Sequence, residues 1–263
     1  MKPLRYICLA AAVVAVVTLS SCLGDNAPTA ENTPATPTVT QTQASQSGEA
    51  KDVGYMTKMG LMKGHLLVAK ELLDKNEPKQ AEPHIGHPVE EIYSDVQDQL
   101  TERNVKEFKT TLDGLHDLVK SKPKDAKVAT SFASSMEAVD GAIAALPSEE
   151  RNKPEFVMAV IDRILNTAKQ EYEAAIANGK IVEDIEYQDS RGFVLYAQDL
   201  YKNISGQMNT AHPEEDKAIT SSMSELVTAW PTVIPPSAPV KTPEEVAKLV
   251  DVIEENSQKV IKI

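Results

Sequence analysis

Past Val53, apolar residues recur every three or four positions and never settle into a two-residue alternation, which predicts helix throughout. Tyr55, Met59, Met62, Leu66, Ala69 and Leu73 fall on one stripe, so a first helix is expected at about 54–75. A loop with Pro78 and Pro83 comes next. Pro88 suits a first helical position, and Val89, Ile92, Val96 and Leu100 mark the next apolar face. Further helices are expected at about 104–121, 125–145, 155–178, 183–204, 213–229 and 243–260, with Pro123, Pro147, Pro154, Gly179 and Pro213 at the breaks. The last opens at Thr242-Pro243-Glu244-Glu245, where a capping residue, an N1 proline and two acids match a helix start. Trp230 to Pro239, with four prolines after the tryptophan, reads as an extended strap. Short connections favour antiparallel neighbours, so the expected fold is all-α, an up-and-down helical bundle of about eight helices.

A degenerate repeat runs through this pattern. Ala69-Lys70-Glu71 lies in a long helix, followed by a helix bearing Glu90, Glu91 and Tyr93. Ala168-Lys169-Gln170 lies likewise, followed by Asn178-Gly179-Lys180 and a helix bearing Glu186 and Tyr187. Two similar helical hairpins would then form a pseudo-symmetric core.

The start of the chain carries a different signal. Lys2 and Arg5 precede an apolar run from Ile7 to Val17, too short to span a bilayer as a mature helix, and Leu19-Ser20-Ser21 leads into Cys22. This is a secretory signal peptide, 1–21, whose end resembles a bacterial lipobox. The resemblance implies cleavage before Cys22 and its lipidation, with several acyl chains, palmitate among them, holding the protein at a membrane. Residues 22–50 are rich in Thr, Ala, Pro, Ser and Gln without an aromatic, and read as a disordered tether of roughly 30 Å. The domain proper is 51–263.

Composition narrows the chemistry. Cys8 leaves with the signal and Cys22 takes the lipid, so no thiol remains for a disulfide, a thiolate metal site or a nucleophile. Without Lys2 and Arg5 the balance is 25 basic against 39 acidic residues, a net charge of −14. Such a surface repels nucleic acid and draws cations. There is no Gly-x-Ser-x-Gly elbow, no His-Glu-x-x-His and no glycine-rich phosphate loop, so an enzyme is not expected.

Three features carry candidate chemistry. Pro83-His84-Ile85-Gly86-His87-Pro88-Val89-Glu90-Glu91 gathers imidazoles and carboxylates suited to Zn, Fe, Mn or Cu. With Pro88 starting a helix, His87 would be its cap and Glu90 one turn inside, where acids are favourable in any case. Secondly, Glu186, Asp189, Phe193, Tyr196, Leu200 and Ile204 share one helix face, so two carboxylates sit on a stripe that should be apolar. Either they reach the bundle rim or pair with Arg191 or a lysine, or they mark a site; Glu171 on the preceding helix would face the same spot. Thirdly, Met56, Met59, Met62 and His65 step by three. That step drifts around a helix, so the methionines read as core filler, with His65 free to join a site as a single ligand. His116 and His212 read as surface residues.

Gly86-His87-Pro88-Val89-Glu90 resembles the Gly-x-His-x-x-Glu motif of imelysin-like periplasmic proteins, a group linked to iron uptake. Here the glycine directly precedes the histidine, and Pro88 interrupts the motif. Tyr172-Glu173-Ala174-Ala175-Ile176 through Asn178-Gly179-Lys180 to Glu186-Tyr187 resembles the helical periplasmic domains attached to ferrous-iron permeases, which implies Glu186 as a ligand. The function expected is a membrane-anchored envelope lipoprotein that captures, buffers or delivers a transition metal, iron foremost, through His87, Glu90, Glu186 and Asp189, with His84, His65 and Glu171 as further candidates. The partners expected are the membrane, through the lipid, and a metal transporter or other envelope protein. Leu23 after the cysteine points to the outer rather than the inner membrane in a Gram-negative host. The alternative is a non-enzymatic scaffold that docks another envelope protein through a helical face; a metal-dependent hydrolase ranks below both.

Overall fold

The computed structural model describes the backbone of residues 38–261 and the side chains of 48–261. The signal peptide, Cys22 and the first part of the tether therefore lie outside the described residues. Helix α1 spans Thr38–Asp74, α2 Pro78–His87, and a π-helical turn Pro88–Ile92 leads into α3, Tyr93–Glu102. Then come α4 (Lys109–Ser121), α5 (Lys127–Ala144), the single turn α6 (Ser148–Arg151) and α7 (Pro154–Ala174). A hairpin of β1 (Ile176–Ala177) and β2 (Lys180–Ile181) joins α7 to α8 (Asp184–Ala211), followed by α9 (Pro213–Leu226) with a 3-10 turn, Val227–Ala229, and α10 (Pro243–Ile261).

The all-α expectation holds, with three local differences outside the histidine segment. The backbone of α1 is already helical at Thr38, within the segment that composition reads as coil. Residues such as Gln and Ala can extend a helix that later residues have nucleated. The expected helix 155–178 stops at Ala174 because Asn178 and Gly179 take left-handed φ of 53° and 70° and turn a two-residue hairpin, pairing Ile176 with Ile181 and Ala177 with Lys180. The expected helix 104–121 starts at Lys109, after Asn104 has taken a left-handed φ of 56°. At the other end of the chain, Thr242 behaves as anticipated. Its hydroxyl accepts from the Glu245 N–H at 3.2 Å while the Glu245 carboxylate accepts from the Thr242 N–H at 2.7 Å, a reciprocal capping box.

Eight of these helices pack as two rings of four. In the first, α1 packs on α2 and α5, and α4 touches both of these. In the second, α7 packs on α8 and α10, and α9 touches both of these. Helix α1 lies against both α7 and α8 where the rings meet. At that seam Gly64 on α1 meets Gly192 on α8: a Cβ on Gly192 would overlap the Gly64 carbonyl oxygen and lie 2.8 Å from its carbon. Only glycines allow the backbones this close, and the crossing fixes what their neighbours His65 and Asp189 can touch. The strap from Trp230 is anchored on α8 by hydrogen bonds from Trp230 Nε1 to Ser190 Oγ (2.8 Å), Tyr187 OH to the Thr232 carbonyl (3.1 Å) and Arg191 Nη1 to the Trp230 carbonyl (2.5 Å). Among the described residues no helix is long and apolar enough to cross a membrane.

Candidate metal centre

Helix α2 occupies the stretch read as a loop. Pro78 sits in its first turn, where a missing N–H costs nothing, and Pro83 is carried within it. His87 is therefore not a cap: its φ of −52° and ψ of −44° are helical, and the chain runs straight on. His84 and His87, three apart, project from one face of α2. Pro88 cannot donate to the carbonyl four residues back, and the helix widens there into a π turn closed by the Tyr93 N–H on the Pro88 carbonyl. The extra residue rotates all later positions of the helix by about 100°. Glu90 thus leaves the face shared by the two histidines and is exposed, with Oε1 beside Gly86 and His116.

Helix α1 contributes His65 and helix α8 contributes Asp189, brought together by the Gly64–Gly192 crossing. Asp189 Oδ1 lies 2.6 Å from His65 Nδ1 and 2.7 Å from His84 Nδ1, and Oδ2 lies 3.2 Å from His87 Nδ1. His65 and His87 meet edge to face with ring centroids 5.1 Å apart, and Phe193 backs His65 at 4.9 Å. Asp189 and His65 are buried and His84 is 0% exposed; His87, with 18% of its side chain exposed, forms the open side.

One ligand atom from each of His65, His84, His87 and Asp189 lies within 4.8 Å of all the others. With bonds of about 2.1 Å, the donors of a tetrahedral ion stand about 3.4 Å apart, so these four would draw closer together to share one. Three imidazoles and a carboxylate suit divalent Zn, Fe, Mn or Cu.

The electrostatics are those of a cation site. Burial pulls the Asp189 carboxyl upward, but the His65 charge and hydrogen bonds from His65, His84 and His87 outweigh it and hold the group well below the usual carboxylate range. Burial likewise works against a charged His87, yet Asp189, Glu91 and Glu90 overcome it and push the imidazole up to about 9. Glu171 is pushed up to about 7 by burial and then by the charges of Asp189, Glu186 and Glu91. Glu186 is raised by burial as well, with Glu183 and Asp189 adding to it.

Of the seven residues singled out by sequence, the four-donor group contains His65, His84, His87 and Asp189. Glu171 and Glu186 stand around it as half-buried acids, and Glu90 is outside. Arg191, weighed as a partner for the carboxylates, binds Glu71 instead, with Nε 3.0 Å from Oε2. His116 is less superficial than expected: its side chain is 17% exposed and Nε2 lies 2.6 Å from Glu82 Oε1. Met56, Met59 and Met62 are core residues, as the drifting three-residue step implied. One participant escaped the sequence reading altogether. Gln188, 1% exposed, accepts from His84 Nε2 at 2.8 Å, and the only signal for it was its position beside Asp189.

Residues 147–263 match the iron permease-associated 4-helix bundle domain. This span holds the whole second ring, so Asp189, Glu171 and Glu186 lie within the matched residues, while His65, His84 and His87 come from the ring before it. The match also covers the stretch from Tyr172 to Tyr187 that carried the second resemblance. No curated protein and no solved structure matches the chain.

Proposed function

We propose that this chain is a non-enzymatic, lipid-anchored protein of the bacterial envelope that takes up a transition metal, iron foremost, and holds it for buffering or for delivery to a metal transporter. The observation that carries the reading is the convergence of three imidazoles and one ionised carboxylate in a largely buried cluster at the seam of the two rings. The iron permease-associated match over 147–263 supports iron as the cargo and a permease as the recipient. The lipobox around Cys22 supports the anchor, and Leu23 supports the outer membrane of a Gram-negative cell.

In this reading Asp189 supplies charge and His65, His84 and His87 supply nitrogen donors from two helices of the other ring, so the cargo ties one ring to the other. The half-buried acids Glu171 and Glu186 draw cations toward the open side at His87. Protons compete for the same imidazoles. Against burial, Asp189 and the nearby glutamates push the His87 imidazole up to about 9, so a metal must displace its proton at lower pH and affinity should climb as pH rises toward that value.

The test is elemental analysis of the full chain purified without chelator, beside His84→Ala/His87→Ala. The expected result is close to one equivalent of metal in the wild type, none in the variant, and wild-type helicity in both. A metal-free wild type that also ignores added Fe, Zn, Mn and Cu ends this reading and favours the scaffold.

A further inference from the structure

Gln188 is placed by a chain of hydrogen bonds whose directions are fixed at both ends. Its Nε2 lies 3.2 Å from the carbonyl oxygen of Val233 in the strap, a group that can only accept. The same nitrogen donates to Gln80 Oε1 at 2.9 Å, and Gln80 in turn donates from its own Nε2 to the Glu77 carboxylate at 3.3 Å. A carboxylate and a carbonyl at the two ends leave one orientation for both amides. The oxygen of Gln188 must then face His84, and it accepts the Nε2 hydrogen at 2.8 Å.

The consequence falls on the other nitrogen of the ring. An imidazole whose Nε2 keeps its hydrogen has Nδ1 left to offer as a lone-pair donor. In His84 that atom points to the centre of the group and donates to Asp189 Oδ1 at 2.7 Å, so a metal would take the place of that hydrogen while Gln188 keeps the one on Nε2. Among the described residues neither His65 nor His87 has such a fixed partner on its second nitrogen; the hydrogen bond of each ring runs from Nδ1 to Asp189. His84 is thus the one donor of the three whose tilt, and whose choice of Nδ1 as the metal-facing nitrogen, are set before a metal arrives.

Resting on the metal-site reading above, we propose that Gln188 is a positioning residue that holds His84 as an Nδ1 ligand and so sets the affinity of the centre. It acts through His84 and touches no metal itself. Partners of this kind raise ligand basicity and remove the cost of orienting the ring, and losing one commonly weakens metal binding 10–100-fold.

Two variants of the full chain separate this role from simple packing. Gln188→Met removes the acceptor for His84 together with the donors to Val233 and Gln80. Gln188→Glu loses the same donors but keeps an oxygen facing His84. Co(II) affinity, read from its visible absorption, is expected to fall about 10–100-fold in Gln188→Met and to stay within about threefold of wild type in Gln188→Glu. In nitrogen-15 spectra of the Zn(II)-loaded protein, the slowly exchanging Nε2–H of His84 should persist in wild type and Gln188→Glu and vanish in Gln188→Met. Equal weakening in both variants would assign the effect to the strap and overturn the proposal, as would unchanged affinity in Gln188→Met. A wild type that takes up no Co(II) or Zn(II) overturns the metal-site reading and this inference with it, whereas normal uptake with insensitive variants overturns this inference alone.

Discussion

Two carboxylates are buried in the second ring, and their surroundings could hardly differ more. Asp189 on α8 faces the seam and three imidazoles, with hydrogen bonds of 2.6, 2.7 and 3.2 Å that hold it ionised. Asp162 on α7 faces α10, where Ser257 Oγ at 2.8 Å and Gln258 Nε2 at 3.1 Å both donate to Oδ2 and Oδ1 has no partner among the described residues. Burial pushes Asp162 up to about 7; the two neutral donors pull against it and Glu254 adds to it. Burial alone therefore does not make a site. A buried carboxylate acquires cation chemistry when charged or ligating partners converge on it, and it becomes a liability when it has only neutral donors.

The sharpest way to break the comparison is to remove the anion at the seam. Asp189→Asn keeps the size of the side chain but leaves three clustered imidazoles without their counter-charge. Breaking a buried pair from one side costs about 3–5 kcal/mol. Urea unfolding of the metal-free protein should show a loss of that order, and metal uptake should disappear. A loss below about 1 kcal/mol would mean that the imidazoles are neutral and indifferent to Asp189, in which case the two carboxylates are less unlike than their contacts imply.

The geometry of the seam offers the next test. A methyl group at Gly192 would overlap the Gly64 carbonyl, so Gly192→Ala must separate α1 from α8. Overpacking of this kind costs about 1–3 kcal/mol. The same displacement pulls His65 from Asp189, so Co(II) affinity should fall with stability while the surroundings of Asp162, on the far interface of α7 with α10, stay as they are. Unchanged Co(II) affinity in a folded Gly192→Ala protein would show that the crossing does not set the His65–Asp189 distance.

How far this was visible in the sequence depends on which constraints are local. Helical stripes are local, and so is the capped helix start at Thr242, and both appear as read. Asp189 was legible because a carboxylate broke an apolar stripe, and His65 because it ends the three-step methionine series of the first helix. His84 and His87 were harder. Pro83 and Pro88 are strong local breakers, and only the tertiary packing of α2 against α1 and α4 overrides them and lets the π turn absorb the second. Glu90 was drawn in by a motif that presumes a regular helix, which the π turn removes. Gln188 could not be singled out, since a glutamine next to an aspartate acquires meaning only once Val233, Gln80 and His84 are gathered around it from distant parts of the chain.

The gentlest test runs at the other carboxylate and reads its sign from pH. The folded state raises the Asp162 pKa from 3.8 to about 7, so its ionised form is disfavoured by folding. The unfolded chain gives up that proton first, and the native state loses stability as pH climbs from about 4 to about 7, with the full penalty present above that. Asp162→Asn removes the ionisation while keeping an oxygen for Ser257. The variant should match wild type near pH 4 and exceed it by about 1 kcal/mol at pH 8, once relaxation of the site is allowed for. Asp189→Asn should never gain in this way at any pH between these limits, because its carboxylate is stabilised by the fold where that of Asp162 is opposed by it. An Asp162→Asn protein less stable than wild type at pH 8 would place an unseen cation on Oδ1 and make the two carboxylates alike.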